Sequence, residues 1–570
     1  MNLLSSLWTH VDNQPHKPLY TFINQQTPTT LTYAEFDHKA AIVAGALQQY
    51  GVCPGDRVLI VLPQSLNYLI AFFGCLYAQL IAVPAYPPAR ANQAQRIYHI
   101  IADAQAKFVI ADKATIELLK DQAQQRNLSD VIYIDIDAIN NVAPANRVIP
   151  QADTIAFLQY TSGSTGNPKG VIVQYKNLQT NFIMMQEGIG MNADSRVVSW
   201  LPLFHDMGLI GAALQVVHLG ATLYFMTPLQ FIRRPMLWLE TISTYRGTHA
   251  YAPNFAYQMC IEECDPTVLS KLDLSCWQVA LNGAEPVRLT TMLNFIEIFK
   301  TGGLNPKACY PGFGMAETTL FVSGNPSLSG LRYEELDLDQ LQQGHALLAT
   351  TTSTQTHALV NCGKPWLESE LLIVNPDTCQ QLPARTVGEL WVRGDHVCAG
   401  YWGKPELSKQ IFAAFTQDSA QGPYLRTGDL AYLNEQGELF IVGRLKDLII
   451  IRGKNYAPQD IEKTIENVSE LIKPNSVAAF SSEFDQEEHL IVIVEIRARL
   501  TKSQAIDLTK EIRKHLLADH NIVAKDIVLT GRGGIAKTTS GKLQRQLCKQ
   551  NYLNQQLPLL QPLEENLLAS

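Results

Sequence analysis

"TIAFLQYTSGSTGNPKGVIVQ", residues 154–174, decides how the chain is read. Residues 154–160 form a short apolar run of strand type, and 170–174 form another. Between them, "TSGSTGNPKG" (161–170) concentrates hydroxyls, spaced glycines and a lysine, with no hydrophobic face to bury. That composition suits phosphate. Glycines let backbone N–H groups turn inward, hydroxyls add donors, and the lysine supplies a point charge. On this stretch alone a flexible Ser/Gly turn between two strands remains an open alternative. A Walker loop does not, because Pro168 stands where its second glycine must be and Gly170 follows the lysine.

Working outward, strand-like and helix-like segments alternate. Thr32-Tyr33-Ala34-Glu35 is a capping-box pattern opening an amphipathic helix that runs to Gly51. "RVLIVLP" (57–63) reads as a strand, "MGLIGAALQVVHLG" (207–220) as a helix and "ATLYFM" (221–226) as the next strand. Alternation of this kind predicts an α/β fold with largely buried sheets. Two stretches depart from it. Residues 323–361 hold an acidic segment, "YEELDLDQLQQG", and a polar run, "TTTSTQT", which predict an inserted, partly mobile surface element. After "GRLKDLIIIRG" (443–453) the character changes. A strand pair, one helix and a glycine-rich tail loop then predict a small α+β domain from about residue 447.

The whole chain sets limits. Its 570 residues, 46% hydrophobic and 17% charged, describe a compact globular protein with more than one domain. A net charge of −8 gives no footprint for nucleic acid. The 10 cysteines are scattered, which predicts reduced thiols in a cytoplasmic protein. Cys260 and Cys264 with nearby His249 resemble a metal fragment, but buried or surface cysteines are the simpler reading. The first residues lack the cationic start of a signal peptide. The apolar run 66–85 is about long enough to span a bilayer. Asn67 and Gln79 interrupt it and Pro84 ends it, so a buried helix running into a buried strand is expected, with no integral membrane segment.

Four further elements carry chemistry. "YPGFGMAETT" (310–319) places Glu317 after a glycine-rich aromatic turn, where one carboxylate with neighbouring hydroxyls suits a magnesium ion that binds substrate phosphate. "YLRTGDL" (424–430) offers Asp429 at a turn as an acceptor for a ribose diol. Arg444 follows in "VGRLKD", and Lys542 sits in the loop "KTTSGKLQR" (537–545). Each has a plainer alternative: a helix cap, an Asx turn, a surface cation, a solvated tail charge. Their joint occurrence in this order is the informative feature.

Order and wording resemble the acyl-adenylate-forming superfamily over residues 10–548. The resemblance implies a large, multi-subdomain N-terminal adenylating domain (1–445) and a mobile C-terminal domain (446–570) hinged at Lys446. It implies that Thr161, Ser162, Gly163, Ser164, Thr165, Gly166 and Lys169 wrap the phosphates of ATP. Gly283, Ala284 and Glu285 would flank the adenine on one side, and Gly314, Met315, Ala316, Glu317 and Thr318 on the other. Asp429 and Arg444 would hold the ribose, Glu317 would bind Mg²⁺, and Lys542 would bridge the acyl carboxylate and the α-phosphate. Such cations are needed because a carboxylate must attack a polyanionic nucleotide.

"SWLPLFHDMGLIG" (199–211) places His205, Asp206, Met207 and Gly208 at the entrance to an apolar helix, and "APNFAY" adds Asn254 and Phe255. With the 323–361 insertion, these residues resemble fatty-acyl-AMP ligases, implying a fatty-acid substrate and His205 among the catalytic groups. No phosphopantetheine site follows residue 548, so the expected acceptor is an acyl carrier protein in trans. The runner-up is a long-chain acyl-CoA synthetase, and a non-catalytic nucleotide-binding scaffold is the reading from another class. A Ser/His/Asp hydrolase would need a G-x-S-x-G elbow, which this loop does not supply.

Overall fold

The structure, a computed structural model, describes residues 2–560 apart from 25–26, 89–93, 124–129, 141, 162–167, 452–453, 485–486 and 539–540. Two large sheets form its body. The first has six strands in the spatial order Ile132–Asp135, Phe108–Ala111, Arg57–Val61, Ile81–Ala85, Ile155–Thr161, Lys169–Gln174. All neighbours are parallel except the last two, which form the hairpin around residues 162–167. The second sheet has nine strands and is parallel through its middle, with antiparallel pairs at both edges.

Helices Tyr33–Gln49 and Leu66–Tyr77 contribute buried faces to one continuous core with both sheets. The sequence prepares this arrangement. The capping box at Thr32 forms in full, with Thr32 and Glu35 each accepting the other's backbone N–H. Gly74 lets the two helices meet, since a Cβ there would fall 2.5 Å from Val43 Cγ1. A run of edge-to-face rings then crosses the layer. Tyr20 of one sheet meets Phe36 at 4.9 Å, Phe36 meets Phe73, and Phe72 meets Phe157 of the other sheet at 5.5 Å. Such pairs contribute about 0.5–1.5 kcal/mol each beyond their burial. The 66–85 run divides as expected into the helix Leu66–Tyr77 and the strand Ile81–Ala85. No helix among the described residues is long and apolar enough to cross a membrane.

A four-stranded antiparallel sheet (Glu370–Val374, Gly388–Arg393, Leu425–Leu433, Leu439–Arg444) follows. From Ile449 onward the chain builds a separate core on a three-stranded sheet, Ile472–Phe484, Glu487–Ile496 and Ala524–Thr530. The sequence showed two of these strands; the third pairs in parallel with the second. Among the described residues no core cluster joins Val442 to Ile449.

Residues 323–361, expected as a surface element, carry regular structure of their own. Ser323 belongs to the strand Phe321–Gly324 of the large sheet. The insertion's strands Tyr333–Asp337 and Thr356–Val360 pair, and Leu336, Leu341 and Ala346 bury against Tyr432 and Phe440 of the four-stranded sheet. Glu334 fastens it further, pairing with Arg385 at 3.0 Å and accepting from Tyr432 Oη at 2.9 Å. The polar composition hid three apolar anchors whose partners lie about a hundred residues away.

Candidate active site

A cleft of about 1000 Å³ lies where the two large sheets, the four-stranded sheet and the C-terminal segment meet. One side is built by backbone. Thr161 and Lys169 are register partners at the mouth of the hairpin, and both line the cleft. Ser162, Gly163, Ser164, Thr165 and Gly166 fall outside the described residues. Trp402 N–H donates to Gly170 C=O at 2.8 Å, which brings Tyr401 beside the hairpin. The Lys169 ammonium sits 5.2 Å from the centre of the Tyr401 ring. Burial and then Lys446 push the Lys169 ammonium below the usual lysine range, with Glu317 opposing them.

Glu317 stands in a single turn, Ala316–Thr318, after the strand Cys309–Gly314, which occupies the place of the expected aromatic turn. Tyr401 Oη donates to Glu317 Oε1 at 2.8 Å, and Cys398 N–H donates to Glu317 C=O at 2.9 Å. Burial raises its carboxyl, and the Tyr401 hydroxyl and Arg444 pull it back. Close packing of the chain here needs glycine. A Cβ on Gly314 would lie 1.8 Å from Leu320 O, and one on Gly283 would lie 2.8 Å from Gly312 O. The 282–286 and 312–318 segments are therefore neighbours, and Gly283, Ala284, Glu285, Gly314, Met315, Ala316 and Glu317 all line the cleft. Thr318 lies beneath, its hydroxyl donating to Met315 C=O at 2.9 Å.

Asp429 is a strand residue where the sequence suggested a turn. It lies in Leu425–Leu433, directly opposite Arg444, and Arg444 Nε meets its Oδ1 at 2.8 Å. The local signal was misleading because Gly428 has φ +70 and the register shifts just beyond Asp429. Burial raises the Asp429 carboxyl against the pull of Arg444.

His205 Nδ1 and Asp206 Oδ1 are 2.5 Å apart, and Met207 N–H donates to the same Asp206 oxygen at 2.7 Å. They open a π-helical stretch, Met207–Leu214, in which every residue is buried. Gly208 is required beneath them, since a Cβ would meet Pro202 O at 2.3 Å. Burial resists ionisation of Asp206, but His205 and Lys542 outweigh it and hold its carboxyl below the usual range. Met185, Ile189, Gly211, Tyr251 and Leu320 give the same cleft apolar lining, with Leu320 and Tyr251 packed about Gly211. Met185, Ile189 and Tyr251 were missed in the sequence because nothing separates them from ordinary core residues. Asn254 and Phe255 are not among the lining residues. Buried Asn254 Oδ1 accepts from Asn282 Nδ2 at 3.1 Å and Arg288 N–H at 3.0 Å, bracing the 282–288 segment. Phe255 N–H donates to Glu285 Oε1 at 2.6 Å.

The C-terminal segment closes the cleft. Lys542 lines it, held in a short loop by a pair of hydrogen bonds with Thr538. Gly541 of this loop has φ +86, and a Cβ there would lie 3.5 Å from the Phe255 ring. Burial keeps the Lys542 ammonium below the usual lysine range, while Asp206, Glu285 and Asp429 favour its charged form. Lys446 stands in the turn Leu445–Asp447, and its C=O accepts from Gln546 at 3.0 Å. Arg545 fastens this junction through Asp447 at 3.2 Å and Glu462 at 2.7 Å. His249, Cys260 and Cys264 form no metal centre: His249 bonds Thr248 and the Ile189 C=O, and no cluster of three possible ligands exists among the described residues.

Comparison with known proteins agrees with this geometry. Residues 7–402 match the model of the AMP-binding enzyme family, and residues 446–562 match that of the Disco-interacting protein 2-like AMP domain. The chain is 37% identical to the medium-chain-fatty-acid–[acyl-carrier-protein] ligase JamA of Moorena producens, over 95% of this chain and 93% of that protein. It is 34% identical to the long-chain-fatty-acid–AMP ligase FadD26 of Mycobacterium marinum, covering 96% of each. Among solved structures it resembles a fatty acid AMP ligase from Legionella pneumophila at 36% identity and a TM-score of 0.74, over 98% of this chain and 97% of that one. A structure from a study of fatty acyl-adenylate ligases of E. coli and L. pneumophila superposes with a TM-score of 0.89 at 30% identity, over 97% of this chain and 98% of that one. The chain belongs to the AMP-binding enzyme family.

Proposed function

We propose that this protein uses ATP to activate a medium- or long-chain fatty acid as fatty-acyl-AMP, releases pyrophosphate, and passes the acyl group to an acyl carrier protein in trans. The observation that carries this reading is one cleft with two kinds of wall. Its lining includes the charged groups Lys169, Glu317, Asp429, Arg444 and Lys542, and also the apolar surface of Met185, Ile189, Tyr251 and Leu320. A molecule that fits both joins a phosphorylated nucleotide to a hydrocarbon. The named relatives, which act on medium- and long-chain fatty acids, support the same substrate class.

In this reading the fatty carboxylate attacks the α-phosphorus, the Pα–O bond to the β-phosphate breaks, and pyrophosphate carries off the electron pair. Lys542 offsets the charge where carboxylate and α-phosphate meet. Asp206, held below the usual carboxylate range, favours the charged form of that lysine against its burial. Lys169 faces the distal phosphates, and Asp429 accepts from the ribose hydroxyls while Arg444 keeps it in place. The residues fit a magnesium ion: one carboxylate beside hydroxyl groups suits a hard cation that takes its other oxygens from phosphate and water. When bound, it would spread the phosphate charge that repels the incoming carboxylate.

The acceptor step calls for movement. A thiol must reach the acyl carbonyl from the side that the Lys542 loop covers, so the unit from about residue 446 would swing about Lys446 and withdraw the loop. The separate core from Ile449 onward supports that division. A purified preparation given ATP, Mg²⁺ and a C8–C16 fatty-acid series tests the proposal. Fatty-acyl-AMP with stoichiometric pyrophosphate is the expected product, and ATP left intact with every acid would overturn it.

A further inference from the structure

One cation of the cleft has no part in the chemistry described so far. Arg96 lines the cleft with Gln159, Tyr160, Thr161 and Lys169, yet makes no hydrogen bond or ion pair among the described residues. It lies in the first turn of the helix Gln95–Ala104, which has no acidic residue there. A cation at that end of a helix meets the positive end of the dipole, and removal from water adds a further cost. Burial does press its guanidinium below the ordinary arginine range. The other arginines that line the cleft differ: Arg444 has Asp429, Arg426 has Glu389, Arg288 has Glu466, and Arg545 has Asp447 and Glu462.

The helix is fixed in place. Ile97, Ile100 and Ile101 bury beneath it, with Ile172 of the hairpin packed against the same cluster. Asp103, near its other end, accepts from Tyr160 Oη at 2.7 Å and from Lys404. Positions 96 and 103 are seven apart, so they share a helix face about 10 Å apart along the axis. Asp103 thus lies near the mouth of the hairpin, where Tyr160 pairs with Gly170 next to Thr161 and Lys169. Arg96, two turns from Asp103 on this helix, lines the same cleft as Thr161 and Lys169, while the Asp429–Arg444 pair belongs to the four-stranded sheet.

We infer that Arg96 binds the β- and γ-phosphates of ATP, and afterwards the pyrophosphate, through its planar guanidinium fork. The inference rests on the adenylating role proposed above. Arginine suits this position because its fork matches two phosphate oxygens at once and its charge survives burial. As the Pα–O bond breaks, the electron pair moves onto pyrophosphate, and a fixed cation at that end stabilises the departing charge.

The test compares the unaltered protein with Arg96→Ala and Arg96→Lys, each checked for fold by circular dichroism. Inorganic pyrophosphate with Mg²⁺, and separately AMP, are titrated calorimetrically. The expected result is at least a tenfold loss of pyrophosphate affinity and a similar rise in KM for ATP in Arg96→Ala. Arg96→Lys, with charge but no fork, should fall between. AMP affinity should stay within twofold. Pyrophosphate affinity within twofold in both variants would overturn the inference, and so would AMP affinity falling as far as pyrophosphate affinity. If Arg96→Ala does not fold, Arg96→Lys decides by the same criteria, with a threefold loss as the threshold. An unaltered protein with Arg96-dependent pyrophosphate binding but no fatty-acyl-AMP would sink the proposed function and spare this inference. Fatty-acyl-AMP formation with Arg96-independent pyrophosphate binding would do the reverse.

Discussion

The two sides of the cleft are built by different means. On the side before Ile449, functional groups are placed by strands and by glycines that admit no Cβ, above a core continuous from Leu3 to Tyr401. On the side after it, Lys542 rides on a unit with its own core, and polar and charged contacts cross from that unit to the rest. Asp339 meets Lys454 at 3.2 Å, Arg288 meets Glu466 at 3.5 Å, and His357 approaches Asp460 at 3.9 Å. Backbone construction gives fixed geometry for the nucleotide. Polar contacts in partial contact with water separate at small cost, which suits the withdrawal proposed for the Lys542 loop.

Several substitutions would break or sharpen this contrast. Lys542→Ala should lower pyrophosphate release by a factor on the order of 100–1000, the range for losing one preorganised charge partner. Its circular dichroism and melting should be unchanged; near-normal turnover would remove Lys542 from the chemistry. Arg545→Ala leaves Glu462 buried without its partner and should destabilise the C-terminal unit by about 3 kcal/mol. Limited proteolysis should then attack residues after 446 first. Gly314→Ala acts on the other side, forcing a methyl against Leu320 O, and should cost about 1–3 kcal/mol in urea unfolding while also weakening AMP binding. An AMP affinity equal to the unaltered protein's would show that this backbone can yield.

The pH profile separates the two sides again. In the proposed reaction the Lys542 ammonium acts in its charged form, and burial lowers its range, so activity should fall with rising pH earlier than an ordinary lysine allows. Asp206→Asn removes a charge that favours the protonated amine, and should move the alkaline limb to still lower pH. A limb that stays put would uncouple the two groups. The smallest effect belongs to Asp339→Asn at the exposed contact with Lys454, below about 0.5 kcal/mol in stability.

Much of the fixed side was legible in the sequence, because its signals are local. The hairpin around 162–167, the Thr32 capping box and the division of 66–85 each follow from short patterns. Features that depend on distant partners were not. Asp429 looked like a turn residue until its strand partner Arg444 was in view. The stretch Met207–Leu214 is apolar all round, so no periodicity separates a π-helix from an α-helix. Tyr401, which donates to Glu317, stands in no recognisable pattern, and Arg96 follows a polar run that looks like solvated surface. The insertion looked loose because its anchors, Leu336 and Leu341, are spread through acidic sequence.

The central claim is that the cleft makes fatty-acyl-AMP for a carrier protein. The most direct measurement is mass spectrometry of the products from ATP, Mg²⁺ and C8–C16 fatty acids, run with CoA and separately with a phosphopantetheinylated acyl carrier protein. The account predicts fatty-acyl-AMP that persists with CoA and gives way to acylated carrier. Rapid turnover to fatty-acyl-CoA, with no acylated carrier, would contradict it.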